Sequence, residues 1–155
     1  MSSESNNFIT EKNIVIGLDA SSKEDAIAKL AQVMEENGTV SNAEAFQQDV
    51  LYRESLTTTG IGNGIAIPHG KSDSVTAASL VFAKTVKPIE WQSLDGSQVS
   101  IIFLMAVRHR DEGKEHLKML ANISGSLMDD NFVKQIKKEN DPKKLVEIFK
   151  TIKTN

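Results

Sequence analysis

Apolar residues recur at helical spacing in several parts of the chain, and polar residues suited to helix ends flank these parts. The segments predicted to be helical run from the Ser21-Ser22 pair to Asn37, from Ser41 or Asn42 to about Ser55, and over about 114–128, 131–138 and 141–152. Ser41 and Glu44 form a possible capping box for the second helix. Asp141, followed by Pro142, is typical of the start of the last helix.

Shorter apolar runs between these helices predict strands. They cover 13–18, 65–67, 78–86 and 99–107, with a short extended piece at 89–91. Pro68 and the Lys87-Pro88 pair are expected to end two of the strands, because proline cannot donate to a sheet ladder. The run at 99–107 is the most apolar, as expected for a central strand covered on both faces. Together the elements predict an α/β fold: a three-layer sandwich with a central mixed sheet of about five strands and helices on both faces.

Size and composition are those of an ordinary globular protein. The 155 residues, 39% hydrophobic and 25% charged, predict a single domain over residues 8–155 after a disordered tail at residues 1–7. The net charge of −3 argues against nucleic acid or an anionic membrane as a partner. The absence of cysteine excludes disulfides and thiolate metal sites. With no signal-peptide pattern and no apolar run of roughly 18 residues, we expect a cytoplasmic protein without direct membrane insertion.

The segment from Thr58 to Ser72 has the most unusual local chemistry. Three alternate glycines at 60–64 permit uncommon backbone conformations, and their bare amides suit an anion. His69 directly follows the predicted end of a strand at Pro68. A neutral imidazole in such a place is a competent nucleophile near pH 7 and forms a phosphoramidate with phosphoryl donors.

Two further side chains could act with His69. Arg53 could make bidentate contacts to a phosphoryl group, and His116 could orient a phosphate or donate a hydrogen bond. Each of the three also has a plainer interpretation. His69 could be a structural residue at a strand end, Arg53 a solvated cation near a helix end, and His116 a surface residue.

Other ligand-binding motifs do not fit. The alternate glycines lack the spacing of the dinucleotide-binding fingerprint. The Gly70-Lys71-Ser72 triplet looks like the end of a P-loop, but that motif needs a glycine where the chain has Ile65. The three histidines show no tight metal-ligand spacing. We therefore predict neither a metal nor a cofactor.

The stretch from Glu54 to Gly70 resembles a known signature. It is similar to the phosphohistidine motif of the type-2, or fructose/mannitol-class, IIA components of the bacterial phosphoenolpyruvate-dependent sugar phosphotransferase system. That motif joins an acidic residue, a pair such as Ile61-Gly62, and a run such as Ile65-Ala66-Ile67-Pro68-His69-Gly70. The Glu115–Ala121 segment, Glu-His-Leu-Lys-Met-Leu-Ala, resembles the family helix that brings a second histidine to the site.

The resemblance implies a phosphoryl relay. His69 would accept a phosphoryl group on Nε2 from the phosphocarrier protein HPr and pass it to a cysteine of a IIB component, while a membrane IIC component moves the sugar. Arg53 would balance the phosphate charge, and His116 would assist the pentacoordinate state. Further phosphate-binding donors are predicted in the glycine-rich stretch: Thr58, Thr59, Gly60, Gly62 and Gly64. Because the donor is another phosphohistidine, no nucleotide or metal is required.

Two alternatives to sugar transport stay open. The nitrogen-related IIA regulators carry almost the same Gly60–Gly70 stretch and act by phosphorylation-dependent protein binding. A degenerate interaction module would keep only the fold, which an intact His69 and Arg53 argue against. The Ile89-Glu90-Trp91 and Ser93-Leu94-Asp95-Gly96 segments resemble the fructose-type transport branch and favour sugar uptake. Fructose is the favoured sugar, with mannitol, mannose and galactitol as the other possibilities.

Overall fold

The computed structural model of the chain describes residues 9–109 and 115–151, without the side chains of residues 115–117 and 119. The strands are β1 (Ile14–Leu18), β2 (Gly60–Gly62), β3 (Ile65–Ala66), β4 (His69–Lys71), β5 (Ser79–Ile89) and β6 (Val99–Val107). The helices are α1 (Lys23–Glu36), α2 (Ala43–Leu56), α3 (Glu115–Leu127), α4 (Asp130–Lys138) and α5 (Pro142–Phe149). The predicted tail at residues 1–7 lies outside the described ranges. No helix within those ranges is long and apolar enough to cross a membrane.

The strands form one mixed sheet between two helical layers. Their order is β1-β5-β6-β3-β2, and β4 also pairs with β6. β5 and β6 are antiparallel, whereas β1 runs parallel to β5, and both β3 and β4 run parallel to β6. Helices α1 and α2 pack on one face of the sheet, and α3, α4 and α5 pack on the other. The predicted three-layer α/β sandwich is confirmed, with six strands where the sequence predicts about five.

Two apolar clusters occupy the two faces of the sheet, and β6 contributes to both. Ile102 and Leu104 pack with α1 and α2, whereas Ile101 and Phe103 pack with α3–α5. On the second face the rings of Phe103 and Phe149 meet edge to face, with their centroids 5.9 Å apart. Nearly every residue of β6 is buried. The prediction of a central strand covered on both faces is therefore confirmed.

The strand that the sequence predicts to end at Pro68 is β3, and pairing with β6 resumes in β4 directly after the proline. Ile65 of β3 lies opposite Ile101 of β6. His69 of β4 lies opposite Met105, four residues further along both strands, so the register is unchanged. Pro68 lacks an N–H, but its carbonyl oxygen accepts a hydrogen bond from Met105 N at 3.0 Å. Because proline removes only a donor, the ladder is interrupted and then resumes. The prediction that a strand ends before His69 is confirmed, since β3 ends at Ala66, but the sequence does not predict that His69 begins a further strand, β4.

Strand β5, by contrast, passes a proline that the sequence predicts as its end. The strand reaches Ile89, which pairs with Val99 of β6, and so includes Lys87 and Pro88. The pairing register shifts between Lys84 and Ile89. Proline is tolerated at such an irregularity because no regular ladder hydrogen bond is lost there.

The start of α2 differs from its prediction. The helix is capped by Asn42, whose Oδ1 accepts a hydrogen bond from Ala45 N at 3.0 Å. The predicted capping box of Ser41 and Glu44 is wrong, because Ser41 Oγ donates to the Ser74 carbonyl at 3.1 Å. The cap therefore moves one residue along, and Ser41 instead ties the start of α2 to the loop before β5.

The last helix begins as predicted and ends earlier. Asp141 Oδ1 accepts a hydrogen bond from Lys143 N at 3.0 Å, and Pro142 occupies the first helical position. The helix ends at Phe149, with Lys150 as its C-cap, and not near residue 152.

Strands β2 and β3 form a hairpin with Asn63-Gly64 as its two-residue turn. Both residues have positive φ, 61° and 79°, as a type I′ turn requires. Asn63 N donates to Asp95 Oδ2 at 3.0 Å, which ties the turn to the loop after β5. Hydrogen bonds from Ser97 and Asn63 lower the pKa of Asp95 to about 2. The Asn-Gly pair is the sequence signal for this hairpin, and the prediction of an anion-binding loop overlooked it.

Strand β4 packs closely against helix α2 because Gly70 has no side chain. A Cβ atom at Gly70 would lie 2.8 Å from Val50 Cγ2 and 3.1 Å from Val50 N. The second of these is a backbone atom of the helix, which cannot rotate away. The missing side chain therefore sets the distance between β4 and the last turns of α2.

We expect Gly70→Ala to destabilise the protein by about 1–3 kcal/mol, as overpacked sites generally do, because α2 must shift to admit the methyl group. Urea unfolding measures the change. The control is Gly125→Ala in α3, where a Cβ would meet no atom within 4 Å and where alanine favours the helix. A Gly70→Ala protein as stable as the wild type would contradict the close packing of β4 on α2.

Candidate functional site

His69 lies in β4 at the edge of the sheet, and the residue is 8% exposed. The ring Nδ1 is 3.0 Å from the carbonyl oxygen of Ile67. A carbonyl oxygen can only accept, so Nδ1 carries the hydrogen in this contact. In the neutral ring the lone pair is then on Nε2, which makes Nε2 the nucleophilic nitrogen.

A small cavity of about 110 Å³ opens beside His69, with walls from two elements. Arg53 in the last turn of α2 forms one side, and His69, Gly70 and Lys71 of β4 form the other. A water molecule occupies roughly 30 Å³ in the liquid, so the cavity has room for a group the size of a phosphoryl group. The structure thus brings together Arg53 and His69, which the sequence places on different elements.

Arg53 is half-buried and is anchored by the end of its own helix. Its Nη1 donates to the carbonyl oxygen of Thr57, the C-cap of α2, at 2.9 Å. A guanidinium has five N–H donors in a planar fork. One donor therefore fixes the group, and others remain to contact an anion in the cavity.

Burial and nearby charges set the protonation of His69. Burial lowers the pKa of the imidazole from its ordinary value of 6.5, because the loss of water disfavours the charged form. The hydrogen bond to Ile67 and the carboxylate of Glu54 oppose this shift without cancelling it, and the charges of Arg53 and Lys71 add to it. The ring is therefore predominantly neutral at pH 7.

Lys71 is a second cation at the cavity, and sequence reasoning missed it. It follows His69 by two positions in a strand, so both side chains extend from the same side of β4. The sequence suggests Gly70-Lys71-Ser72 only as an incomplete P-loop. Residues two apart in a strand lie on the same face, and this rule would have placed Lys71 beside His69. The rule applies only once His69 is known to lie in a strand.

The predicted phosphate-binding donors lie in the β2–β3 hairpin and the residues before it, where internal contacts engage them. Thr59 N and Oγ1 donate to the Glu54 carboxylate at 2.9 and 2.6 Å. Thr58 Oγ1 donates to the Trp91 carbonyl oxygen and accepts from Gly60 N, each at 3.1 Å. These contacts shape the hairpin and attach it to α2 and to the chain after β5.

Of the other two predicted donors, Gly62 precedes the hairpin turn and Gly64 is the second residue of the turn. Gly64 N donates to Ser97 Oγ at 3.3 Å. Gly62 has a φ of 106°, and a Cβ there would lie 2.9 Å from a carboxylate oxygen of Asp95. All five predicted donors are among the described residues, and none of the five lines the cavity beside His69. Their binding of phosphate stays a prediction.

His116 is the second residue of α3, and its side chain lies outside the described part of the chain. Its role therefore also stays a prediction. Among the side chains that the structure describes, which exclude those of Glu115 and His116, no cluster of three or more histidine, aspartate or glutamate residues could hold a metal ion.

A family model and several known proteins match this chain over most of its length. The family model for "Phosphoenolpyruvate-dependent sugar phosphotransferase system, EIIA 2" matches residues 7–152. A PTS system fructose-specific EIIABC component of Bacillus subtilis (strain 168) is 29% identical over 142 residues, which are 92% of this chain and 22% of that protein. The chain therefore spans about a fifth of the length of that relative.

A second relative matches over nearly its whole length. This nitrogen regulatory protein of Bradyrhizobium diazoefficiens is 32% identical over 142 residues, 92% of each chain. The crystal structure of nitrogen regulatory protein IIA-Ntr from Neisseria meningitidis has the same fold, with a TM-score of 0.85, 24% identity, and coverage of 93% of this chain and 97% of that chain. Because the family model covers nearly all of the sequence, the protein belongs to the EIIA 2 family of the phosphoenolpyruvate-dependent sugar phosphotransferase system.

Proposed function

We propose that this chain is a phosphoryl relay that accepts a phosphoryl group on His69 Nε2 and passes it to the next component of a sugar phosphotransferase system. The observation that carries the proposal is the hydrogen bond from His69 Nδ1 to the Ile67 carbonyl oxygen. The same imidazole lines a cavity together with Arg53. The hydrogen bond selects the tautomer with its lone pair on Nε2 and fixes the plane of the ring. Membership of the family supports phosphoryl transfer as the chemistry.

Each transfer step exchanges one bond to phosphorus for another. Nε2 of His69 attacks the phosphorus on the phosphohistidine of HPr, and the donor imidazole leaves with the electron pair of the broken N–P bond. Because His69 keeps the hydrogen on Nδ1, its ring becomes positive, and the hydrogen bond to the Ile67 carbonyl strengthens. A cysteine thiolate of a IIB component then attacks the same phosphorus, and His69 returns to the neutral ring.

Arg53 and Lys71 balance the charge of the phosphoryl oxygens. Phosphoryl transfer depends mainly on positioning and charge stabilisation, and both cations line the cavity beside His69. The arginine fork can contact two oxygens, whereas the lysine acts as a point charge. Both charges also lower the pKa of His69, so they keep the nucleophile neutral before transfer. On the family motif alone, we assign His116 the role of assisting the pentacoordinate state.

The proposed partners are HPr, a IIB component and, through IIB, a membrane IIC component. The name of the Bacillus subtilis relative combines A, B and C components in one fructose-specific protein. This supports a IIB component as the phosphoryl acceptor and fructose as the sugar. The fructose-type segments around Trp91 favour the same branch.

Regulation of nitrogen metabolism is the second candidate function. The match to the Bradyrhizobium regulator over 92% of each chain supports it, because the two proteins are similar in length. The chemistry at His69 would then control the binding of another protein. The two functions differ in the fate of the phosphoryl group. Its rapid transfer to a purified fructose-type IIB component indicates transport, and its retention on His69 indicates regulation.

We expect the protein to gain one acid-labile, base-stable phosphoryl group when it is incubated with phosphoenolpyruvate, enzyme I and HPr. Intact-mass spectrometry counts the group, and ³¹P NMR identifies the nitrogen that carries it. His69→Ala should abolish labelling because it removes the nucleophile. His109→Ala changes an exposed histidine and should leave labelling intact. Full labelling of His69→Ala at another residue would refute the assignment.

Arg53→Ala should slow transfer from phosphorylated HPr. A charge-assisted contact to an anion is worth about 1.5–3 kcal/mol, which corresponds to a rate lower by roughly 10- to 150-fold. Rapid-quench labelling measures the rate, and circular dichroism checks the fold. Gln48→Ala, at an exposed position on the same helix, is the matched control. A wild-type rate for Arg53→Ala would remove Arg53 from the site.

The pKa of His69, measured by NMR titration, should lie below 6.5 and should rise in Arg53→Gln, because a charge that lowers it is removed. Lys144→Gln removes a charge from an exposed position on α5 and should leave this pKa unchanged.

The lowered pKa also makes the stability of the protein depend on pH, because His69 takes up a proton more readily in the unfolded chain than in the folded protein. The free energy of unfolding should therefore fall as the pH decreases through 6.5, and level off below the folded pKa. A His69 pKa at or above 6.5 would contradict the burial effect.

A further inference from the structure

A buried carboxylate lies next to Arg53 in the last turn of α2. The Glu54 side chain is 4% exposed. Burial of a charged group is unfavourable unless partners satisfy it. A negative charge in the last turn also opposes the helix dipole. Neither burial nor the helix dipole therefore favours a glutamate at this position, and its contacts must compensate for both.

Both oxygens of this carboxylate are engaged by the chain that leaves the helix. Glu54 Oε2 accepts from Thr59 N at 2.9 Å, and Oε1 accepts from Thr59 Oγ1 at 2.6 Å. Lys23 of α1 adds an ion pair, with its Nζ 3.4 Å from Oε2 and its side chain 14% exposed. Glu54 thus joins the end of α2 to the residue before β2, and Lys23 balances its charge.

Trp91 contacts both threonines of this segment, Thr58 and Thr59, and also Lys23. Its Nε1 donates to Thr59 Oγ1 at 3.2 Å, and its carbonyl oxygen accepts from Thr58 Oγ1 at 3.1 Å. Lys23 Nζ lies over the indole ring, 5.7 Å from the centroid. Because Trp91 is fully buried, the core fixes these contacts in place.

The turn closed by Glu54 and Thr59 contains the carbonyl group that anchors Arg53. Thr57 lies within this turn, and its oxygen accepts from Arg53 Nη1 at 2.9 Å. We propose that Glu54 is a positioning residue: its carboxylate fixes the turn at 55–58, so that the Thr57 carbonyl holds the guanidinium at the cavity beside His69. The consequence for phosphoryl transfer rests on the proposed function, whereas the placement of Arg53 can be measured independently.

The N–H and the hydroxyl of Thr59 both donate to the side chain at position 54, and this arrangement suits a carboxylate. A carboxylate offers one acceptor oxygen to the N–H and another to the hydroxyl. A glutamine offers only one oxygen. Its NH₂ group could donate to Thr59 Oγ1, but the hydroxyl hydrogen would then lose its acceptor, and the ion pair with Lys23 would be lost as well. Glu54→Gln therefore keeps the size of the side chain while it loosens the turn. Glu44→Gln, at an exposed position in the first turn of the same helix, is its control.

The first measurement is the mobility of the Arg53 side chain by ¹⁵N NMR relaxation. The heteronuclear NOE of the Arg53 Nε–H should be high in the wild type and in Glu44→Gln. It should be clearly lower in Glu54→Gln, because the Thr57 carbonyl is no longer held. Equal values in the three proteins overturn the proposal, whether or not the chain is phosphorylated.

The second measurement is the rate of transfer from phosphorylated HPr in a double-mutant cycle. Glu54→Gln should slow transfer roughly 10-fold in the wild-type background and less than about twofold in Arg53→Ala, because the carboxylate acts through the guanidinium. An equal slowing in both backgrounds, as a general structural defect would give, contradicts the proposal. If the wild type gains no phosphoryl group, the proposed function fails, and the NOE alone decides the role of Glu54.

A milder variant covers the case in which Glu54→Gln does not fold. Thr59→Val keeps the shape of the side chain and removes only the hydroxyl contacts to Glu54 and Trp91. It should lower the Arg53 NOE and slow transfer in the same direction. No change in either quantity in a folded Thr59→Val protein counts against the proposal.

Discussion

The pairing of β3 and β4 with β6 is the constraint on which the site depends. The chain passes Pro68 without a change of register, so His69 lies opposite Met105 on a strand that is buried on both faces. A shift of one residue would turn the apolar side chains of this segment to the wrong face of the sheet. The hydrophobic core therefore fixes the position of His69 along β6, and the hydrogen bond to the Ile67 carbonyl oxygen fixes the orientation of its ring.

Helix α2 completes the site from the other side. Gly70 admits the helix at Val50, and Arg53 follows three residues later, nearly one turn along. The two charged residues in the last turn of α2 lie in different places. Arg53 lines the cavity, whereas the Glu54 carboxylate is buried against Thr59. The cavity is therefore lined by positive charge, which suits an anion. The negative charge of Glu54, which holds the turn that supports Arg53, is balanced by Lys23.

Most of the fold and the family could be predicted from the sequence, and so could His69 as the candidate nucleophile. Helical spacing located the helices, and the apolar run at 99–107 identified the strand that proved central. The motif from Glu54 to Gly70, which contains His69, identified the family, and the family model confirms this. These features depend on residues that are close together in the chain. Periodicity and motif spacing can therefore predict them. The pairing of Arg53 with His69 came only from the family resemblance, because spacing alone favoured a solvated cation.

Tertiary structure alone decided the strand order, the resumed pairing with β6 after Pro68, the continuation of β5 past Pro88, and the members of the cavity. The physical reason is the same in each case, since the deciding partner is distant in sequence. Met105 restores the ladder beyond Pro68, and the placement of His69 in that strand brings Lys71 to the cavity. The glycine-rich stretch shows the converse: its open backbone suggested an anion site, yet long-range contacts engage its donors in a hairpin.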